Sequence, residues 1–410
     1  MIGSALEAAV GMEAYATPGE RCGGRAKSSP EDFRVEELIS TAGMLKDRTP
    51  GYYPVYRVQK RGIDTMHMAK EMSAELKSRV SYGGLKDSKA AASQYLTPTS
   101  LRSSTPENIV RGRFSAELVG WLPKPLTRGS VAGNRFEVVL RDCCAEVGQR
   151  IEEAFGAARA GRVPNYFGLQ RFGSRGAGTH LVGKAMVRGD FEGAVNLILG
   201  RVPGGGDLVR KGGGEVALTP GQDVERLVGM AVAKYPGEWT RALRAVPIRL
   251  RRLYVQAYQS YIFNRSLSSA LLAGEDISAY MKGDNWAEVS GDGLTVSYVK
   301  SASSTPEGRA TPMVQVAGYA FRDYGSRFDR HVKEVMEAEQ VSPPQFFIEE
   351  MQEASAEGGF RQAHMAVADE AWKVEGSDAE LRFTLARGQY ATVLLREVLK
   401  PEDPQVSGLA

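Results

Sequence analysis

An acid beside a base, set directly after two glycines, is the first place in this chain where chemistry could reside. In Ser81-Tyr82-Gly83-Gly84-Leu85-Lys86-Asp87-Ser88-Lys89-Ala90 the glycines permit a sharp turn and a close backbone approach to a ligand. Asp87 suits a nucleophile or base, and a nearby cation favours its ionised form. The same residues equally suit a surface turn carrying a solvated ion pair, and composition leaves both open. At 165–173 the chain reads Asn-Tyr-Phe-Gly-Leu-Gln-Arg-Phe-Gly. Stacking rings, amides able to read a base edge and the Arg171 guanidinium for phosphate sit together there, although a partly buried aromatic turn is the simpler alternative. Arg241, Arg244, Arg249, Arg251 and Arg252 crowd the start of a tyrosine-bearing segment. They form either an electrostatic footprint for an RNA backbone or a solvated helix face.

Two other motifs fail on chemistry. Gly178 to Ala185 matches the phosphate loop G-x-x-x-x-G-K-[ST] except at its last position, where Ala185 has no hydroxyl to hold magnesium. Gly-Asp-Gly at 291–293 is too short for a dinucleotide fingerprint. His67, His180, His331 and His364 lack the i, i+3 or i, i+4 spacing that sets two ligands on one helical face, so no transition-metal site is expected. Cys22, Cys143 and Cys144 form no CxxC and are expected to build no disulfide framework, which suits a reducing cytosol.

The elements that must position these groups are legible in outline. With 410 residues, two cores are expected, and 42% hydrophobic and 25% charged residues describe an ordinary globular chain. The net charge of +3 is too small to argue for nucleic acid by itself. Glu7, Glu13 and Glu20 in the first twenty residues exclude a secretory signal there, and no segment is long and apolar enough to span a membrane, which makes the cytoplasm the expected compartment. Strands are predicted after Pro30, over 52–58, around Phe136 to Leu140 and over 380–386. Helices are predicted after an Asp64 N-cap, from Val147 to near Gly161, over 252–272, and from Ala391 to Pro401. The stretch 203–214 reads as a flexible glycine-rich loop, the acidic stretch 334–357 as a solvated surface with a turn, and the last ten residues as loose. Strands and helices mix without a regular βαβ repeat, which points to α+β.

Taken in order, these segments resemble the TruD family of tRNA pseudouridine synthases. Gly84, Lys86, Asp87, Ala90 and Gln94 match the signature G-x-K-D-x-x-A-x-T-x-Q, with Ala92 where the family usually has Thr. Pro30-Glu-Asp-Phe33, Asn165-Tyr-Phe-Gly168 with Gln170 to Gly173, Phe263-Asn264 and Gly388-Gln-Tyr-Ala-Thr392 match further family motifs in sequence order. The resemblance implies an α+β pseudouridine synthase catalytic domain with a mixed, mainly antiparallel sheet, formed by residues 1–190 and 376–410. A family-specific inserted α/β domain is expected over 191–375.

It further implies isomerisation of uridine 13 of tRNA, with no cofactor, no metal and no protein partner. Asp87 is implied as the catalytic residue. Phe33, Asn165, Phe167 and Tyr390 are implied around the target base, with Lys27, Lys86, Gln94 and Arg171 as further substrate-binding positions. Arg249, Arg251 and Arg252 would meet the RNA backbone. The reaction moves no electrons to or from an acceptor, which is why a carboxylate suffices. The base must leave its stack, and rings that receive it recover part of that cost. A tRNA-binding protein without turnover and a phosphate-loop nucleotide hydrolase are the competing readings.

Overall fold

The structure, a computed structural model, describes residues 3–86, 90–101, 105–173, 178–200, 223–290, 299 and 306–410. Asp87, the glycine-rich stretch 203–214 and Gly-Asp-Gly at 291–293 lie outside the described residues. The strands are β1 (Phe33–Ile39), β2 (Tyr53–Lys60), β3 (Val80–Tyr82), β4 (Ala91–Pro98), β5 (Asn108–Arg111), β6 (Phe114–Leu122) and β7 (Val131–Leu140). They continue with β8 (Trp286–Glu288), β9 (Ala310–Val316), β10 (Gly359–Gln362), β11 (Val367–Glu375) and β12 (Asp378–Ala386). The helices are α1 (Ala5–Ala8), α2 (Thr65–Glu75), α3 (Val147–Arg159), α4 (Thr179–Val187), α5 (Phe191–Ile198), α6 (Asp223–Lys234), α7 (Trp239–Arg244), α8 (Ile248–Leu272), α9 (Arg327–Ala338) and α10 (Ala391–Leu399).

Nine strands form one sheet in the order β11-β12-β7-β1-β4-β2-β6-β5, with β3 attached to β4. Only β1 and β4 run parallel; the other pairings are antiparallel. This is the mixed, mainly antiparallel sheet of an α+β protein. Its two faces follow from period-two alternation. Phe33 and Val35 of β1, Phe136 and Val138 of β7, and Leu381 and Phe383 of β12 turn inward. Ile151 and Phe155 of α3 and Leu394, Leu395 and Val398 of α10 complete that core. The opposite face carries charges at the alternate positions, where Arg135 pairs with Glu36 across β7 and β1 at 3.0 Å. A smaller sheet, β10-β9-β8, stands apart.

The strand β11, which precedes position 376, pairs along its length with β12, so the large sheet draws on both sides of that position. One core is continuous from Val10 to Leu409 and includes residues of α4, α8 and α9 together with the sheet. A second, smaller core under α2 gathers Tyr56, Met68, Met72, Leu96 and Phe114. The predicted Asp64 cap is present: its carboxylate accepts from the N–H groups of Met66 and His67.

Several expectations are corrected. Cys22 and Cys144 are joined by a disulfide, with Cys143 free beside them. The backbone bridge between Arg25 and Arg141, at the end of β7, brings the two cysteines together across 122 positions, which no local spacing reveals. The C-terminal residues are fastened rather than loose. Leu409 is buried, Ala26 N–H donates to the Ser407 carbonyl at 2.9 Å, and Gln170 donates to the Leu409 carbonyl at 2.9 Å. The acidic stretch after residue 334 contains the buried Phe346, Ile348 and Met351, and its Glu339 and Glu353 receive Lys184 and Arg251. In the near-miss phosphate loop, Gly183 is needed for packing. A Cβ there would stand 2.0 Å from the Tyr254 carbonyl oxygen of α8.

Reduction of the Cys22–Cys144 bond should cost up to about 5 kcal/mol of unfolding free energy, the chain-entropy value for so long a loop. Guanidinium unfolding with and without a thiol reductant reads this as an earlier midpoint. Coincident curves would mean that the bond does not constrain the unfolded chain.

Candidate active site

A cavity of about 740 Å³ opens on the inward edge of the sheet, bounded by Lys27 and Phe33, by Gly83 to Lys86 and Ala90, by Gln170, and by Arg387 to Thr392 with Ala410. Lys86 and Ala90, the described residues on either side of Asp87, both belong to its wall. The two lysines reach it differently. Lys27 has a φ of 59°, a left-handed conformation unusual for a residue with a side chain, and its ammonium lies 4.8 Å from the Phe33 ring centroid. Lys86 donates to Glu37 Oε1 at 3.0 Å and to Asn134 Oδ1 at 2.6 Å.

The 84–86 turn is held from beneath. Thr65 Oγ1 accepts the Lys86 N–H at 2.8 Å and donates to Gln94 Oε1 at 2.9 Å. Gln94 is fully buried and is not part of the cavity wall. On the other side, the motif around Pro30 fixes where β1 begins. Asp32 accepts from the Ser29 N–H at 2.8 Å and from Arg141, which also reaches Asp378. Burial pushes the Asp32 carboxyl up, but Arg141 and Ser29 outweigh it and hold the group below the usual carboxylate range. Phe33 follows directly and faces the cavity.

The rings behind the cavity wall are held by α8. Asn264 accepts the Phe167 N–H at 2.7 Å, and its amide donates to the Phe167 carbonyl at 3.0 Å and to the Val10 carbonyl at 3.1 Å. Phe263, one position earlier, meets the Phe167 ring edge to face at 5.3 Å, and Phe167 meets Tyr390 at 6.3 Å. Only Tyr390 of these three lines the cavity. Gly168 permits this approach, because a Cβ there would lie 2.9 Å from the Tyr390 ring and 2.7 Å from Gln170 Oε1. Arg171 runs along α8, donating to Ser260 Oγ at 3.3 Å and to Gln256 Oε1 at 3.0 Å. Asn165 is buried and not part of the cavity wall, donating to the Gln362 carbonyl at 3.2 Å and accepting from Arg361 at 2.7 Å.

Arg361 is the residue that sequence reasoning missed. It comes from β10, 196 positions beyond Asn165, in a stretch with no motif of its own, so nothing local flags it. Its guanidinium lies 4.1 Å from the Phe167 ring centroid, 5.7 Å from Phe263 and 5.8 Å from Tyr390. Burial lowers its pKa to about 10, with Arg171 acting in the same direction. Of the expected RNA-backbone arginines, Arg249 and Arg252 are exposed, whereas Arg251 is buried and ion-paired with Glu353. Among the described residues, no group of three or more His, Cys, Asp or Glu side chains is placed to hold a metal, and no helix is long and apolar enough to cross a membrane.

The mixed sheet and the ring-lined cleft at its edge belong to a pseudouridine synthase, an isomerase, as the family match and the relatives show. A family model described as tRNA pseudouridine synthase D (TruD) matches residues 9–398. A Pyrobaculum arsenaticum protein named "Probable tRNA pseudouridine synthase D" is 33% identical over 98% of both chains. A Geobacter sulfurreducens protein named tRNA pseudouridine synthase D is 30% identical over 92% of this chain and 94% of its own length. A crystal structure from Methanosarcina mazei, described as that of the "Putative tRNA pseudouridine synthase D (TruD)", is 26% identical, with a TM-score of 0.75, covering 99% of this chain and all of that one. The chain belongs to the TruD family of tRNA pseudouridine synthases.

Replacing Asn264 by Leu would leave both backbone polar groups of Phe167 without their partner and should destabilise the fold by about 3 kcal/mol. Urea unfolding checks this. A loss below about 1 kcal/mol would remove the clamp from the structural account.

Proposed function

We propose that the protein converts uridine to pseudouridine at position 13 of tRNA, with the target base flipped into the 740 Å³ cavity and Asp87 as its essential catalytic group. The observation that carries this reading is that both described neighbours of Asp87, Lys86 and Ala90, line the same cavity as Phe33 and Tyr390. That volume lies in the range of small-ligand clefts, ample for one nucleotide. Eversion costs a few kcal/mol, and stacking on a ring returns about 1–3 kcal/mol.

In the reaction the N1–C1′ bond breaks and its electron pair stays with the uracil. The sugar is held as an adduct to the Asp87 carboxylate, whose bond to C1′ breaks as C5 attacks, or passes through a glycal when that carboxylate takes a proton from C2′ and returns it there as C5 bonds to C1′. Uracil turns, C5 bonds to C1′, the C5 proton leaves and N1 takes up a proton. Every heavy atom of the nucleotide is retained and the proton lost from C5 is matched by the one gained at N1, so the chemistry balances without a redox partner. Phe33 and Tyr390 hold the detached ring, while Lys27 adds positive charge beside Phe33. Phe167 backs Tyr390, and Asn165 acts through Arg361. Lys86 and Gln94 brace the 84–86 turn through Glu37 and Thr65.

Residues 1–190 and 376–410 would form the catalytic domain and 191–375 the inserted one, with β11 joining the catalytic sheet from the insertion side. Along α8, Arg252 and Gln256 are exposed four apart on one face, and Gln256 accepts from Arg171, whereas Ser260 and Asn264 further along are buried. Phosphates tracking that face from Arg249 and Arg252 would lead towards Arg171. Arg251 contributes by tying the start of α8 to Glu353.

Asp87→Asn should abolish conversion, measured by mapping pseudouridine in treated tRNA, with binding within about threefold of wild type. Robust turnover in that variant would refute the role of Asp87; binding by the wild type without turnover would favour a tRNA-binding protein. Arg249→Gln with Arg252→Gln should weaken binding and lower the salt slope by up to about two ions. An unchanged slope removes them from the interface.

A further inference from the structure

Arg361 has its guanidinium in an aromatic box and, among the described residues, no acidic partner there. Nε donates to the Asn165 carbonyl at 2.8 Å, and Nη2 donates to Asn165 Oδ1 at 2.7 Å and to the Tyr166 carbonyl at 3.2 Å. Its flat face rests 4.1 Å from the Phe167 centroid, with Tyr390 within 6 Å. A Cβ on Gly388, a residue of the cavity wall, would lie 3.5 Å from Nη1. Among the described residues no carboxylate forms an ion pair with it. The titratable groups that face it are Arg171, a second cation, and Tyr390.

A half-buried cation is ordinarily neutralised, because desolvating it without a counter-charge is costly. Three neutral acceptors and a ring face offset part of that cost. The charge that remains sits behind the ring against which a base would stack. A neutral uracil gains little from it. A uracil that has just left C1′ carries the electron pair of the broken bond, spread over N1, O2 and O4, and gains more. A field that favours the detached base over the bound nucleotide lowers the barrier without tightening ground-state binding.

We propose that Arg361 is a positioning residue of the base pocket: it holds the Phe167–Tyr390 pair in place and directs positive charge at the uracil in its detached, anionic state. This rests on the pseudouridine synthase reading of the same cavity. It also gives the smaller sheet a part in the site, since Arg361 belongs to β10.

The test compares wild-type protein with Arg361→Met and Arg361→Lys on tRNA, reading kcat and KM separately from pH 6 to 9. Arg361→Met should lose about 100-fold in kcat, as removal of one preorganised donor does elsewhere, with KM within about threefold. Arg361→Lys should recover much of kcat at pH 6 and lose it as the pH rises. The burial that lowers the arginine pKa acts on a lysine there as well, so the required ammonium is discharged on the alkaline side while the wild type stays charged. A kcat for Arg361→Met within about threefold of wild type overturns the proposal, as does a loss confined to KM. So does an Arg361→Lys profile parallel to the wild type. Should Arg361→Met not fold, the lysine profile decides alone. If wild-type protein forms no pseudouridine, the functional reading falls and the ring placement is still testable: fluorotyrosine at position 390 should shift and broaden its fluorine resonance in Arg361→Lys, and an unchanged resonance overturns it.

Discussion

The site depends on the carboxamide of Asn264. Buried within the long helix α8, it accepts from the Phe167 N–H and donates to the Phe167 carbonyl, so it replaces the pairing a strand would otherwise supply to that residue. A backbone segment with no regular partner is normally mobile or unstable when buried, because unpaired polar groups carry a desolvation penalty. Here one side chain removes the penalty at both groups and ties in the Val10 carbonyl as well. The ring of Phe167 is thereby fixed in depth and angle. Phe263, Arg361 and Tyr390 are arranged around it.

Around this clamp the charges are distributed with a clear asymmetry. The charged outer face of the sheet alternates acid and base, as in the Arg135–Glu36 pair, and such exposed pairs contribute little. The cavity is different. Lys27, Arg387 and Lys86 line it, with Arg171 and Arg361 behind, against Glu37 as the acid in its described wall. A polyanionic substrate such as tRNA matches that surplus. Phe33 and Tyr390 present their rings to the same cavity, with the Lys27 ammonium beside Phe33 and the Arg361 guanidinium 5.8 Å from the Tyr390 ring.

The elements converge from distant parts of the chain. β1 brings Phe33, the turn before β4 brings the neighbours of Asp87, the 165–173 segment brings Phe167, α8 brings Asn264, β10 brings Arg361, and the turn before α10 brings Tyr390. Their union is secured by buried polar contacts of long sequence separation, such as Arg396 of α10 with Glu7 and the Thr17 hydroxyl donating to the Glu397 carbonyl. The C-terminal residues, pinned by Gln170 and Ala26, close the last side of the cavity.

The sequence alone determined what depends on near neighbours. Period-two alternation located β1, β7 and β12, the 3.6 period and caps located α2, α3, α8 and α10, and short motifs marked Asp87, the Asn165–Gly173 block and the Gly388–Thr392 turn. It was silent or misleading where a partner lies more than a hundred positions away. Cys22 reads as a lone thiol until β7 returns to it, and nothing near Arg251 or Asn165 in the sequence announces Glu353 or Arg361 as their partners. Periodicity and capping are properties of a few consecutive residues and can be read in one dimension. Which cation stands behind which ring is set by packing of remote segments, and only the tertiary structure decides it.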